Sequence, residues 1–244
     1  MKFARFAAAA ALIAIVAACH DRSDAEVRDA GPSVDRNFAV GAFQRIAVSG
    51  PYDVTVKSGG QPGVIAHGGQ AVLDETEIVV EDGTLKIVPK KKNGFRWSWG
   101  NHDKVRVEVT GAGALDGAAI AGSGGISIDQ SVSPKFKGEV AGSGDLAVER
   151  LQSDLVELSI AGSGNIRAAG KAGRTQYNIA GSGQLDGAAL QATDAEVSIA
   201  GSGNVTAHAT GTADISIMGS GDVSLTGGAK CSVSKQGSGN VSCS

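Results

Sequence analysis

Aromatic residues are scarce: two Trp, two Tyr and six Phe, 4% of 244 residues. Any core must therefore be assembled from Val, Ile, Leu and Ala. Proline occurs five times and the 36 glycines follow no three-residue period, which excludes a collagen-like chain. Neither charge sign dominates: 22 Lys and Arg face 25 Asp and Glu, a net charge of −3. Such a chain has no global basic field to attract nucleic acid. The four histidines, His20, His67, His102 and His208, are scattered rather than clustered. No apolar run reaches the roughly 20 residues of a membrane-spanning helix. What is present is a hydrophobic fraction of 42%, enough to bury a core and exclude global disorder. Glycine stands at about twice its usual share.

The longest apolar run, Phe6 to Ala18, follows the basic opening Met1-Lys2-Phe3-Ala4-Arg5. It fits the hydrophobic region of a signal peptide over residues 1–18. The run ends in Val16-Ala17-Ala18-Cys19, which resembles the lipobox of bacterial lipoproteins. The resemblance implies cleavage before Cys19 and acylation of its sulfur and its new amine, and two or more chains anchor stably. In Gram-negative lipoproteins an Asp after the Cys retains the protein at the inner membrane. His20 therefore points to the outer membrane, with the body facing the periplasm or the cell surface. Residues 19–37 mix both charge signs with few apolar residues and are expected to form a flexible tether.

The body, residues 38–244, is organised by an internal repeat. Gly-Ser-Gly opens at Gly122, Gly142, Gly162, Gly181, Gly201, Gly219 and Gly237, spaced 18–20 residues apart. Gly111-Ala112-Gly113 reads as a degenerate eighth copy. Two residues before the motif stand Ile120, Val140, Ile160, Ile179, Ile199, Ile217 and Lys235. Two residues earlier stand Ala118, Gly138, Leu158, Tyr177, Val197, Ile215 and Val233. Two residues past it stand Ile126, Leu146, Ile166, Leu185, Val205, Val223 and Val241. The intervening residues are polar or small. Period two marks strands with one buried face and excludes helix.

A single strand–bend–strand unit cannot bury its own face, so the units must stack. The expected fold is all-β: a single-stranded right-handed parallel β-helix, a solenoid with coils of about 20 residues rising about 4.8 Å each. The serine ladder, Ser123 to Ser238, is expected to satisfy its hydroxyls among themselves or on the bend backbone. Residues 38–110 alternate less regularly. Strands are expected at 43–48, 52–57, 64–67, 76–80, 84–88 and 104–109. They read as irregular first coils and an N-terminal cap, with the repeat coils filling 111–244. An open end would otherwise expose unpaired edges.

The opening Gly50-Pro51-Tyr52-Asp53-Val54-Thr55-Val56, then Glu81-Asp82-Gly83-Thr84-Leu85-Lys86-Ile87, then serial Gly-Ser-Gly units resembles a bacterial envelope family. It is the family called putative auto-transporter adhesin, head GIN domain, a domain of unknown function. The resemblance covers roughly residues 40–243. It implies a right-handed β-helix and an exported, often lipid-anchored protein, and it transfers no catalytic residues and no cofactor.

Three local features remain. Cys231 and Cys243 flank Gly237 symmetrically on inward positions, and an oxidising compartment favours a disulfide between them. Two thiols alone make a poor zinc site. Residues 90–102 carry Lys90, Lys91, Lys92, Phe95, Arg96, Trp97 and Trp99, with the three aromatics on one face if extended. Such a segment either folds over the solenoid as a cap, contacts glycan, lipopolysaccharide or anionic lipid, or joins two copies in a homo-oligomer. Catalysis is weakly represented. The position after each bend carries Gly125, Asp145, Asn165, Gln184, Asn204, Asp222 and Asn240, a polar row rather than a carboxylate cluster. Glu149, Arg150 and Arg167 read as exposed ion-pair partners on adjacent coils. The expected role is non-catalytic: an envelope scaffold or adhesin-like binding module whose partners are the membrane, through its anchor, and an envelope glycan, lipopolysaccharide or protein. The alternative is a carbohydrate-active β-helix enzyme of lyase or hydrolase type.

Overall fold

The computed structural model describes residues 30–90 and 104–244. Along the chain run β1 (Ser33–Phe38), β2 (Arg45–Ser49), β3 (Asp53–Ser58), β4 (Gly63–Gly69), helix α1 (Gln70–Asp74), β5 (Thr76–Glu81), β6 (Thr84–Pro89) and β7 (Arg106–Ala112). The repeat region follows with β8 (Gly117–Gly122), β9 (Gly125–Ile128), β10 (Ser131–Val132), β11 (Lys135–Gly142), β12 (Asp145–Gly162), β13 (Asn165–Gly181) and β14 (Gln184–Gly201). The last coils comprise β15 (Asn204–Ala209), β16 (Thr212–Gly219), β17 (Asp222–Thr226), β18 (Lys230–Gln236) and β19 (Val241–Cys243).

These strands stack as a parallel β-solenoid, because each repeat pairs in register with the same stretch of the next. Gly142 aligns with Gly162, Gly162 with Gly181, Gly181 with Gly201 and Gly201 with Gly219. The strand before the bend and the strand after it form two ladders, here the A ladder and the B ladder. The A ladder runs β6, β2, β8, β11, the second halves of β12, β13 and β14, then β16 and β18. The B ladder runs β7, β3, β9, the first halves of β12, β13 and β14, then β15, β17 and β19. The period-two residues point inward: Ile120, Val140, Ile160, Ile179, Ile199 and Ile217 are buried, as are Ile126, Leu146, Ile166, Leu185, Val205 and Val223.

The bend explains its own composition. The first glycine of each motif has φ between +121° and +134°, a region that side chains rarely adopt. A Cβ on Gly162 would lie 2.4 Å from the carbonyl oxygen of Gly142 below it, and one on Gly164 2.4 Å from that of Gly144. The close approach lets the serine N–H reach the coil below: Ser163 N donates to Gly142 O at 2.9 Å and Ser202 N to Gly181 O at 2.9 Å. The serine side chains differ from expectation. They are exposed, and none of their hydroxyls makes a hydrogen bond among the described residues. A rise of about 4.8 Å is too long for one hydroxyl to reach the next.

The lumen is filled by volumes that compensate across it. Tyr177 is the largest fully buried side chain, and Gly187 faces it, since a Cβ there would lie 2.4 Å from the phenol oxygen. Its hydroxyl has no hydrogen-bond partner among the described residues, and burial pushes its pKa up to about 12.

The first coils depart from sequence order. The coil β2–β3 is first along the chain but second in space: β6–β7 stacks on one side of it and β8–β9 on the other. The eighth bend is therefore Gly50-Pro51-Tyr52, not Gly111-Ala112-Gly113. Gly50 has φ +113°, its N–H donates to Ala121 O at 2.9 Å, and Gly122 stacks on it. Gly111 instead lies beside Gln61 and Pro62, at the far end of β7. The Glu81-Asp82-Gly83 turn closes an antiparallel hairpin between β5 and β6, with Asp82 at φ +50° and Gly83 at +70°.

The cap is more regular than the sequence shows. The segment 33–37, expected to belong to the tether, pairs as β1 antiparallel to β4. Its apolar alternation is only Val34 and Phe38, with Arg36 between them, so period two is hidden under charge. Arg36 serves the cap: its guanidinium donates to Leu73 O at 3.0 Å and pairs with Asp74 at 2.6 Å. The short helix α1 buries Val72 and Leu73 at the head of the core. Thr76 Oγ1 donates to Val72 O at 2.8 Å and accepts the Tyr52 hydroxyl at 3.4 Å.

Candidate binding surfaces

The outward positions of the A ladder form a strip of Ala121, Ala141, Ala161, Ala180 and Ala200, continued by the exposed Met218. Beside it runs a polar strip, Glu139, Ser159, Asn178, Ser198 and Ser216. Small outward residues make this face flat.

The B ladder carries the polar row read from the sequence. It works as a staple between coils rather than as a free carboxylate cluster. Asn165 Nδ2 donates to Asp145 at 2.7 Å, and Asn204 Oδ1 and Asp222 Oδ1 accept the N–H of Asp222 and Asn240 at 3.2 and 2.7 Å. A shallow groove of about 630 Å³ runs along this row, lined by Asp145, Asn165, Arg167, Gln184, Asp186 and Thr206. Arg167 pairs with Asp186 at 3.2 Å, and Arg150 pairs with Asp129 at 3.6 Å.

Three carboxylates that sequence reasoning passed over organise the corners. Asp194 accepts Thr212 Oγ1 at 2.6 Å and its N–H at 3.0 Å, and these bonds hold its pKa below the ordinary carboxylate value. Partial burial pushes Asp186 up, but the donors Thr206, Ala188 N–H and Arg167 together outweigh it and leave the pKa lowered. Asp129 is lowered in the same way, with Ser58 donating from its N–H at 2.9 Å and its hydroxyl at 2.8 Å. An Asp followed in the next coil by Thr would have been the sequence signal.

Of the aromatic and basic segment, Lys90 is described; Lys91, Lys92, Phe95, Arg96, Trp97 and Trp99 lie outside the described residues, as does Cys19. Lys90 is tied to the cap: its N–H donates to Glu75 O at 2.8 Å and its ammonium to Asp74 O at 2.5 Å, at the C-terminal end of α1. The two ends of the segment are placed by the register. Gly50 lies against Pro89, and Asp53 N donates to Val105 O at 3.0 Å. Pro89 and Val105, which flank the segment, therefore lie beside the Gly50 bend and the start of β3. Ala30 lies at the same end of the rod, against Gly69, and its carbonyl oxygen accepts the Ala71 N–H at 2.9 Å.

At the other end, Cys231 and Cys243 form a disulfide joining β18 to β19. Lys235, on an inward position, donates its ammonium to Gly239 O at 2.7 Å. Among the described residues no group of three His, Cys, Asp or Glu is placed to hold a metal ion, and no helix is long and apolar enough to cross a membrane.

A stacked parallel β-solenoid, capped at its first end and patterned outside with flat polar and small-residue strips, places the chain among the β-helical repeat proteins. Residues 42–229 match the family described as "Putative auto-transporter adhesin, head GIN domain", and the chain belongs to that family. Its fold is shared by a crystal structure described as a putative lipid binding protein from Parabacteroides distasonis, at 27% identity and TM-score 0.70, covering 88% of this chain and 97% of that one. A putative adhesin from Bacteroides fragilis matches at 22% identity and TM-score 0.79, covering 87% and 97%. One from Parabacteroides merdae matches at 20% identity and TM-score 0.66, covering 88% and 97%. No curated protein matches.

Proposed function

We propose that the chain is a non-catalytic envelope binding module, lipid-anchored through Cys19, that meets the anionic envelope surface with its 90–102 segment. The reading is supported by where the residues that flank that segment lie, Lys90 on one side and Val105 on the other. Both stand at the capped end of the rod, where Ala30 enters the fold eleven residues after Cys19. An anchor on Cys19 would hold this end nearest the membrane. Trp97 and Trp99 suit a membrane interface, while Lys91, Lys92 and Arg96 attract phosphate headgroups, each cation contributing about 1 kcal/mol near an anionic surface. The family's adhesin description and the lipid-binding description of one structural relative agree with a binding role.

The test uses the chain from Ala30, which holds every described strand, α1 and the disulfide. Both tryptophans of the protein lie in the segment, so their fluorescence reports on it alone. Vesicles of anionic lipid and lipopolysaccharide should shift the emission saturably, with the effect weakening as salt rises. Trp97→Ala with Trp99→Ala, which leaves no tryptophan and is therefore read by vesicle co-sedimentation alongside the wild type, should abolish binding without changing the far-UV circular dichroism. An emission already blue-shifted in the free protein and unmoved by either surface would make the segment a cap and overturn the reading.

A further inference from the structure

The staples along the B ladder use only part of what its outward side chains offer. Two columns run in register over four coils. Asp145, Asn165, Gln184 and Asn204 form one; Arg167, Asp186 and Thr206 belong to the other. The groove of about 630 Å³ lies along them, and Ala147, the small member of the second column, keeps it open. Just past that column the register slips in three successive pairings, between Val148 and Leu151, Arg167 and Gly170, and Gly187 and Gln191. Such slips bend a strand, and Ala188, within the last of them, lines the groove.

The polar atoms of the groove are held in place but not exhausted. Asp145 takes the Asn165 Nδ2 at 2.7 Å, and Asn204 Oδ1 accepts the Asp222 N–H at 3.2 Å. A carboxylate only accepts here and a backbone N–H only donates, so both amides are fixed in orientation. Asn165 is left with its carbonyl oxygen to offer and Asn204 with its side-chain N–H groups. Gln184, between them, makes no hydrogen bond to any described residue and offers both. Asp186 accepts the Arg167 Nε at 3.2 Å and is itself fixed by Thr206 and the Ala188 N–H. The terminal guanidinium nitrogens of Arg167 make no hydrogen bond among the described residues. A row of fixed donors and acceptors thus recurs once per coil, about every 4.8 Å.

We propose that this groove binds a neutral, extended glycan lying along the rod, one sugar unit to a coil. Three properties select that ligand. Sugar hydroxyls both donate and accept, as a row that mixes carbonyl, amide N–H and guanidinium groups requires. Extended glycans repeat at close to the coil rise, whereas like-facing residues of a peptide strand recur about every 6.5–7 Å, out of step with it. The lining carries two carboxylates, Asp145 and Asp186, against the one guanidinium of Arg167, so phosphate and uronate groups are repelled. The site therefore differs in chemistry from the 90–102 segment. It also lies apart from it: along the B ladder, β9 stands between Asp145 and Asp53, the residue that bonds Val105.

Heteronuclear NMR of the chain from Ala30 tests this, with chitin and cellulose fragments from the disaccharide to the hexasaccharide as probes. The side-chain amide signals of Asn165, Gln184 and Asn204 should shift saturably. Affinity should rise up to four sugar units and then level off, one unit for each coil that lines the groove. Gln184→Ala removes an amide with no partner in the fold and should weaken binding about fivefold, the worth of one lost hydrogen bond. Ala147→Arg repeats the residue of the next coil, fills the groove and should abolish binding, with the circular dichroism unchanged. Trp97→Ala with Trp99→Ala should leave it intact, which keeps this outcome separate from that of the membrane reading. No shift of the three side-chain signals with any fragment overturns the proposal. So do an affinity that ignores fragment length, binding that both groove variants leave intact, loss of binding with the two tryptophans, and tighter binding of polygalacturonate fragments or of an extended peptide.

Discussion

Replacing the first glycine of a central bend separates two costs that the repeat combines. At Gly162 an alanine must adopt φ +130°, a conformation worth about 1–3 kcal/mol of strain for a residue with a side chain. Its Cβ must also sit 2.4 Å from Gly142 O, well inside van der Waals contact. The coils cannot simply part there, because Gly142 O accepts Ser163 N at 2.9 Å and Gly164 N at 3.0 Å. Losing those two bonds adds about 1 kcal/mol each. Gly162→Ala should therefore cost about 3–5 kcal/mol. Gly228→Ala isolates the backbone part: its φ is +77° and nothing lies within 4 Å of the new Cβ, so about 1 kcal/mol is expected. Ser163→Ala, at an exposed hydroxyl without a partner, should change stability by less than about 0.5 kcal/mol. Urea unfolding followed by circular dichroism gives the ranking. Amide exchange at the neighbouring coils shows whether the loss spreads, since a repeat array need not unfold in one step. A loss below about 1 kcal/mol at Gly162, or a Gly228 variant as damaged as the Gly162 one, would refute the close-stacking argument.

Other perturbations bear on other parts of the rod. Tyr177→Phe deletes a buried hydroxyl without a partner and should leave thermal stability unchanged or raised, by up to about 1 kcal/mol; a loss of that size would reveal a hydrogen bond to the phenol. Reducing the Cys231–Cys243 disulfide, which spans 12 residues, should destabilise the last coil by roughly 3 kcal/mol. Amide exchange should then rise in β18 and β19 and stay unchanged in β8 to β13; uniform exchange along the rod would contradict a local staple. Asp186 and Asp194 have folded pKa values below their unfolded ones, so the stability they contribute is present above about pH 4 and is lost as pH falls through the folded values. Urea midpoints should decline on that acid limb, and Asp186→Asn with Asp194→Asn should flatten it; an unchanged limb would mean that other carboxylates set it.

The repeat coils were legible because three independent constraints coincide on each: period-two burial, a glycine at positive φ, and a second glycine where coils touch. Val140 and Leu146, on either side of one bend, are buried as that pattern requires. The first coils were legible as strands but not as an order. Nothing local in Arg45–Ser49 says that β6, 39 residues later, stacks against it, because alternation fixes which face is buried and not which neighbour is met. Gly50-Pro51-Tyr52 hid as a bend because proline and tyrosine replace Ser and Gly. The sequence after it, Asp53-Val54-Thr55-Val56, parallels Asp145-Leu146-Ala147-Val148 and could have exposed it. The helix α1 has five residues, too few for a 3.6-residue stripe to show. The serine ladder misled because identical residues at a fixed spacing look like a network, and only the rise between coils shows that the hydroxyls are out of reach.

The displaced first coil makes the rod unequal in how its length can change. From the last end, a coil can be removed or added by cutting or duplicating one contiguous stretch of 18–20 residues, as the register from Gly201 to Gly219 shows. From the first end this fails. Deleting 45–58 would not shorten the rod but excise an internal rung, leaving β6–β7 to find β8–β9 across an empty place. Duplication and loss of repeats are therefore tolerated on one side only, and length in such a chain is a property written in its C-terminal half.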